Sequence, residues 1–460
     1  MTLQQLTVSS NQRYLSRKDG TPFFYLADTA WELFHRLNRE EAQLYLKNRA
    51  DKGFTVIQAV VLAELDGLNT PNPYGDVPLI NHDPTQPNPA YFQHVDFIVN
   101  AAEQLGLYVG MLPTWGDKVQ QKSEGGLELF TPETAFTYGE YLGQRYRQKP
   151  IIWILGGDRD PHHDEQLAIW RSMAAGLKQG DGGAHLITFH CQTNSARWFH
   201  HDDWLDFNMF QSGHGGKDTP NYRTTAYNYQ LSPPKPTLDG EPRYEDIPVR
   251  FWENQQPRRR LEMIPMIRQI ARYWRGRFND YDVRQAAYWS LFAGACGHTY
   301  GNNSVWQLWE PGRESFVPAR LTWKDALDRP GAVQMGYVRR LFESRPFQKL
   351  VPDASLLDSK PGTGASYTSA MRAEDGSFAF IYTATGRSVR VKLDALQGTL
   401  VTAHWYNPRT GQAQIIGQFS NQFPLVFKPA RWGRGKDWVL VLDSAECKFL
   451  PPGEVPNLVV

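Results

Sequence analysis

Between Phe23 and Tyr300 the chain returns eight times to one design, a short apolar run followed by a polar or glycine-rich turn. The runs are Phe23–Ala27, Phe54–Leu62, Leu107–Leu112, Ile151–Leu155, His185–His190, Leu205–Gln211, a short strand reaching Gly240, and Gly294–Tyr300. Apolar runs of this length suit parallel strands buried on both faces. Eight of them alternating with helices is the number that closes a (β/α)8 TIM barrel. A doubly wound open sheet is the competing fold, but it gathers its functional loops at one switch point. Here polar and aromatic residues follow nearly every run, which fits a ring of loops.

Helix signals fill the intervals. Asn38 with Glu41 three residues on forms a capping box, and the helix it opens closes at Gly53. Asn88-Pro89 and Thr131-Pro132 open two more, and further helices are expected over Glu165–Gln179, Val283–Phe292 and Val333–Phe342. A β-hairpin up to about Gly20 should precede the barrel, and a long, partly helical, arginine-bearing stretch should follow Glu241. The loop from Asn69 to Pro84 is rich in Pro and Asn and too long for a plain connector, so it is expected to wall a cleft. From about Arg345 the pattern changes to strand alternation, as in Ser377–Thr383, Val389–Leu393 and Trp438–Leu442, with turns at Asp375-Gly376 and Thr410-Gly411. The expected division is a barrel over 1–344 and a small all-β sandwich over 345–460.

Two strand ends carry chemistry. In Ile151–Pro161 the apolar run ends in Gly156 and Gly157, and the next side chain is the carboxylate of Asp158. In Lys235–Pro242 a strand reaches Gly240, and Glu241 follows. An ionisable group at the C-terminal lip of a barrel strand is where this architecture keeps its active site. Two such carboxylates are what glycoside hydrolysis requires. The competing reading is an ion pair with Arg159 or Arg243. Asp160, Asp239 and Glu245 are rivals: Asp160 caps a turn before Pro161, Asp239 sits inside strand seven to orient a neighbour, and Glu245 is the reserve nucleophile. Trp31, Trp115, His190, His214, Tyr244 and His298 fall at or just after strand ends and should ring the carboxylates, as should Asp28 beyond strand one.

Other functions are set aside. A formal net charge of +1 gathers neither nucleic acid nor an anionic membrane. No metalloprotease, phosphate-loop or serine-hydrolase motif is present. Adjacent pairs such as His162-His163 and His200-His201 lack metal-ligand spacing, so no metal and no cofactor are expected. The 15 Trp and 21 Tyr favour a sugar cleft, because flat apolar ring faces stack on sugar C–H surfaces. Three distant cysteines give no disulfide framework. The N-terminus lacks a leader pattern, so the protein is cytoplasmic as written, or periplasmic or secreted where a signal peptide has been removed. The expected state is a monomer with an oligosaccharide or polysaccharide substrate.

Phe23–Phe34, Trp153–Arg159 and Leu238–Pro242 together resemble the apiosidase-like glycoside hydrolases of family 140, and the resemblance covers nearly the whole chain. The C-terminal part resembles the small domain that accompanies them, whose collagen-binding label no exposed signature here supports. The resemblance implies a retaining mechanism, with the acid/base after strand four at Asp158 and the nucleophile after strand seven at Glu241. The wider clan carries Asn-Glu after strand four where this chain has Gly157-Asp158, one methylene shorter. The implied substrate is apiose in the side chains of the pectin rhamnogalacturonan II. Its uronates would call for Arg159, Lys118 or Arg243. The alternatives are a glycosidase of the same fold on another plant glycan, such as an arabinofuranoside, and a non-catalytic glycan- or matrix-binding protein.

Overall fold

The computed structural model describes residues 3–120, 129–254 and 275–455. Most of the arginine-bearing stretch expected after Glu241 lies outside the described residues. Eight parallel strands form a barrel wall: β1 Tyr25–Thr29, β2 Val56–Leu62, β3 Tyr108–Thr114, β4 Ile151–Gly156, β5 Ile187–His190, β6 Asn208–Phe210, β7 Thr237–Asp239 and β8 Gly297–Tyr300. Ladders run in the order β8-β1-β2-β3-β4-β5, and β6 pairs with β7. Two backbone bonds complete the ring. Asp206 N donates to Ile187 O and Cys296 N donates to Thr237 O, both at 2.9 Å. Every residue of these strands is buried, as a wall filled from inside and covered by helices requires.

β1 begins at Tyr25 because Pro22–Phe23 completes a three-stranded antiparallel sheet with Leu6–Val8 and Leu15–Arg17. The leading hairpin is therefore three-stranded. Asn38 and Glu41 exchange the capping box and open the helix Arg39–Asp51. Pro89–Gln104 and Pro132–Tyr146 follow their Asn88 and Thr131 caps. The helix before β8 starts at Asp280, earlier than Val283, because Asn279 and Asp282 also form a capping box. The last barrel helix is Pro330–Glu343. Among the described residues no helix is long and apolar enough to cross a membrane.

The C-terminal strands are β9 Leu350–Pro352, β10 Thr368–Ala373, β11 Phe378–Thr383, β12 Val389–Val391, β13 Leu400–Asn407, β14 Gln412–Ser420, β15 Leu425–Phe427 and β16 Trp438–Ser444. They form an antiparallel sheet ordered β9-β10-β11-β16-β13-β14, with β12 and β15 paired against it. Strand alternation divides this sheet's side chains. Ile381, Leu440 and Leu442 pack with Val391 and Phe427 in the domain's own core. Phe380, Tyr382 and Val441 turn the other way and join the barrel's core. There Tyr382 stacks on Tyr288 with centroids 4.7 Å apart. One buried fork crosses the same boundary, Arg284 to Asp437 at 2.9 and 2.8 Å, and a second, Arg345 to Asp443 at 2.8 Å twice, ties the start of the C-terminal part to β16.

Candidate active site

At the end of β4 the backbone turns through Gly156 (φ 90°), Gly157 (φ 130°) and Asp158 (φ 53°). A Cβ on Gly156 would lie 2.1 Å from His190 O, and one on Gly157 would lie 2.7 Å from the Trp115 ring. Glycine is required twice by space as well as by dihedral angle. Gly157 N donates to His190 O at 2.7 Å and Gly116 N donates to Gly157 O at 3.2 Å, so strands on both sides pin the turn. Asp158 itself occupies the left-handed region, a conformation that costs a non-glycine residue energy and concentrates at functional sites. Its Oδ1 accepts from Gln211 Nε2 at 3.0 Å, and the side chain stays partly open to solvent.

Beyond β7, Gly240 lies against Met209 of β6, where a Cβ would meet the sulfur at 2.4 Å. The next residue, Glu241, is buried between two imidazoles. His214 Nε2 lies 3.1 Å from Oε1 and His190 Nε2 lies 3.3 Å from Oε2. Burial alone would push the Glu241 carboxyl up. The close contact with His190 and then the hydrogen bond from His214 outweigh it and hold the carboxyl well below the ordinary range. Burial drives His190 down, yet its close contact with Glu241, the charge of Glu241 and that of Asp158 together raise it. One carboxylate oxygen of Asp158, one of Glu241 and a ring nitrogen of His190 lie within 4.8 Å of one another. Atoms this close could share a metal ion, and the His190–Glu241 contact at 3.3 Å accounts for one side of the group.

Around the pair, Trp31, Trp115 and His190 form one ring cluster with centroids 5.2, 5.4 and 5.7 Å apart. Tyr244 packs on His214 at 4.7 Å. Burial, then the charge of Glu241, push its hydroxyl far up, so it remains a proton donor. Arg159 stands half-buried at the lip, donating to its neighbour's carbonyl, Asp158 O, at 2.9 Å. At the same end of the barrel the long loop after β2 lines a cavity of about 640 Å³ with His35, Arg36, Arg313 and Phe316.

Two expected members lie elsewhere. Asp28 faces outward to the helix Arg39–Asp51, where Tyr45 Oη and Arg49 Nε bond it at 2.5 and 2.7 Å. Its carboxylate belongs to the barrel wall's own ion pair. His298 precedes Thr299, whose hydroxyl meets Gln58 inside the barrel at 3.5 Å, so strand alternation sends His298 outward. There burial, then the charge of Arg243, push it down to about 3, a neutral imidazole. Lys118 is spent on Ala63 O at 2.7 Å and Asp117 at 2.8 Å. Arg243 is buried, donating to Lys217 O and, at 3.0 Å, to Gln285 Oε1.

The rival carboxylates hold structure. Asp160 accepts from Thr193 N and Oγ1 at 3.1 and 2.8 Å, tying the turn to the loop after β5. Asp239 accepts from Ser212 and Asn221 rather than from a cation, and burial raises it to about 6. Glu245 accepts from Tyr300 Oη at 2.7 Å and Gly331 N at 3.1 Å, and burial raises it to about 7. The strand-end reading overlooks one acid. Glu64, two residues past β2 and half-buried, has its carboxyl pushed far up by desolvation and then by the charges of Asp158, Glu32, Asp117 and Glu241. Its signal in the chain is the one that marks strands four and seven, a carboxylate just past a buried strand, here β2.

A family model described as "Apiosidase-like, catalytic domain" matches residues 9–349, and one described as "Putative collagen-binding domain of a collagenase" matches residues 351–443. A solved structure named "Glycoside hydrolase" is 34% identical with a TM-score of 0.85, the match covering 96% of this chain and 97% of that one. A glycoside hydrolase family 5 structure from Bacteroides vulgatus ATCC 8482 is 32% identical with a TM-score of 0.86, covering 98% and 96%. No curated protein matches the chain.

Proposed function

The chain belongs to the apiosidase-like family of glycoside hydrolases, and we propose that it is a retaining glycosidase that removes apiosyl groups from side chains of rhamnogalacturonan II. The observation that carries the mechanism is the meeting of Asp158 and Glu241, with carboxylate oxygens within 4.8 Å of each other. Retaining enzymes hold their two carboxyls roughly 5–5.5 Å apart, whereas inverting enzymes leave about 6.5–9.5 Å for a water. Glu241, kept ionised by His190 and His214, attacks the anomeric carbon and forms a glycosyl ester. Asp158 gives its proton to the departing oxygen, then takes one from the water that hydrolyses the ester. Trp31 and Trp115 are buried and pack against His190, holding its ring beside Glu241, and Tyr244, also buried, keeps a protonated hydroxyl beside His214. The family match over 9–349 supports the apiosyl group, and Arg159 at the lip suits a uronate-bearing polymer.

The test is release of sugar from defined pectin fragments, with proton NMR reading the anomer formed first. Apiose of retained configuration is expected. Arabinose as the product would replace the substrate, inversion would replace the mechanism, and no release from any glycan would leave a binding protein. Glu241→Gln should abolish turnover. Asp158→Asn should cost about 10²–10⁴-fold on a poor leaving group and far less on an activated aryl one, which does not need the proton. Equal losses on both substrates would remove Asp158 as the acid.

A further inference from the structure

The loop after β6, residues 211–220, carries His214 to Glu241, and what fixes that loop lies partly outside the barrel. Gly213, Gly215 and Gly216 flank His214, so its own backbone does little to hold the imidazole. Position must come from the contacts around it. At the near end Asp239 accepts from Ser212 N and Oγ at 3.2 and 2.7 Å, and Gly213 N donates to Glu241 O at 3.0 Å. Arg250 N donates to His214 O at 3.0 Å. At the far end the anchors are Lys217 and Asp218. Lys217 O accepts from Arg243, two residues past Glu241, and Asp218 Oδ1 accepts from Gln285 Nε2 at 3.2 Å.

Arg250 Nε also donates to Gly215 O at 2.9 Å, and a further anchor comes from the C-terminal domain. Arg434, between β15 and β16, donates through Nη1 to Asp218 Oδ1 and Oδ2 at 2.9 and 3.1 Å. Its Nη2 bonds Asp282, a buried carboxylate of the helix Asp280–Phe292, and its guanidinium lies 4.8 Å over the Tyr281 ring. One guanidinium thus joins the loop that carries His214 to the helix that packs beside β8. Its planar fork suits two carboxylates in a way a lysine's point charge does not.

We propose that the C-terminal domain is a working part of the active site, and that Arg434, acting through Asp218, is a positioning residue that keeps His214 on Glu241. The proposal rests on Glu241 as nucleophile. Slackening the far end of the loop lets the imidazole leave the carboxylate. Glu241 then titrates nearer its ordinary value, and the acid limb of the kcat/KM profile moves to higher pH.

The decisive variant is Asp218→Ala in the full chain, because Asp218 is only partly buried and the Arg434–Asp282 pair survives its loss. Measured on the aryl furanoside that the protein turns over fastest, kcat/KM should fall about tenfold with the fold intact, since small misplacements near the chemistry are costly. The acid limb should shift upward, and backbone amides of 212–218 should exchange hydrogen faster while other segments do not. Arg434→Ala should reproduce the shift, and Arg434→Lys should restore only part of it. An Asp218→Ala enzyme with wild-type kcat/KM and acid limb, alongside an inactive Glu241→Gln, would overturn the clamp and leave the mechanism standing. An active Glu241→Gln would instead remove the nucleophile, and the clamp's catalytic role with it.

Discussion

At Gly157 an added methyl would sit 2.7 Å from the Trp115 ring and 2.8 Å from Gly116 N, on a backbone with φ of +130°. Neither obstacle is the free end of a flexible side chain, so Gly157→Ala must move the turn, and Asp158 moves with it. Turnover should fall by about 10² or more, because a shift near 1 Å in a positioned catalytic group has that effect. Stability should fall by about 1–3 kcal/mol from the strained backbone. Steady-state kinetics and urea unfolding check both figures, and wild-type turnover would show that Asp158 needs no such placement. The need for two glycines before the carboxylate was legible in the chain. The Trp115 ring and His190 carbonyl that make them obligatory are distant in sequence and were not.

Among elements, the helix Pro330–Glu343 takes its N-terminal cap from far away, since Glu245 accepts from Gly331 N and from Tyr300 Oη. Its folded-state pKa of about 7 stands above the ordinary 4.5, with burial as the first cause. A raised value means stability that is full below about pH 4.5 and lost as pH rises through 7, on the order of 3 kcal/mol in all. Glu245→Gln should therefore flatten the dependence of stability on pH between 5 and 8 relative to the parent, with turnover retained. Denaturant titrations at the two pH values test this, and a folded but inactive variant would return Glu245 to the role of nucleophile. Other elements show the same split between local and distant causes. The capping boxes at Asn38 and Thr131 are local and were readable. The helix Asn221–Tyr229, rich in Asn, Thr and Tyr, has weak intrinsic propensity and no side-chain cap, so packing against the neighbouring helix decides it.

For the molecule as a whole, the barrel and the β-domain behave as one packed body. Phe292 and Phe342 of the barrel meet Phe380 of β11, and the Arg284–Asp437 fork is buried between them. Two domains joined this way should unfold together, so calorimetry of the full chain should show one transition. Arg284→Ala strands the buried Asp437 with Arg409 at 3.5 Å as its nearest remaining cation. It should cost about 3–5 kcal/mol and lower that single transition without splitting it. Two separated transitions in the parent protein would show that the domains fold independently.

Periodicity and local rules were enough to establish the eight apolar runs, the helix caps, the shift to strand alternation, and the carboxylates placed just past the glycine turns of β4 and β7. These depend on residues within a few positions of one another, and their physics is short-ranged. Which side of a strand faces the cleft was settled in three dimensions alone. A shift of one residue reverses every side chain, so Asp28 and His298 went outward. The charge states were settled there too, because burial pushes Glu245 and Asp239 up while two imidazoles hold Glu241 down. The reach of Arg434 to the loop that carries His214 spans 216 positions to Asp218, a distance that only the packed fold brings to a hydrogen bond.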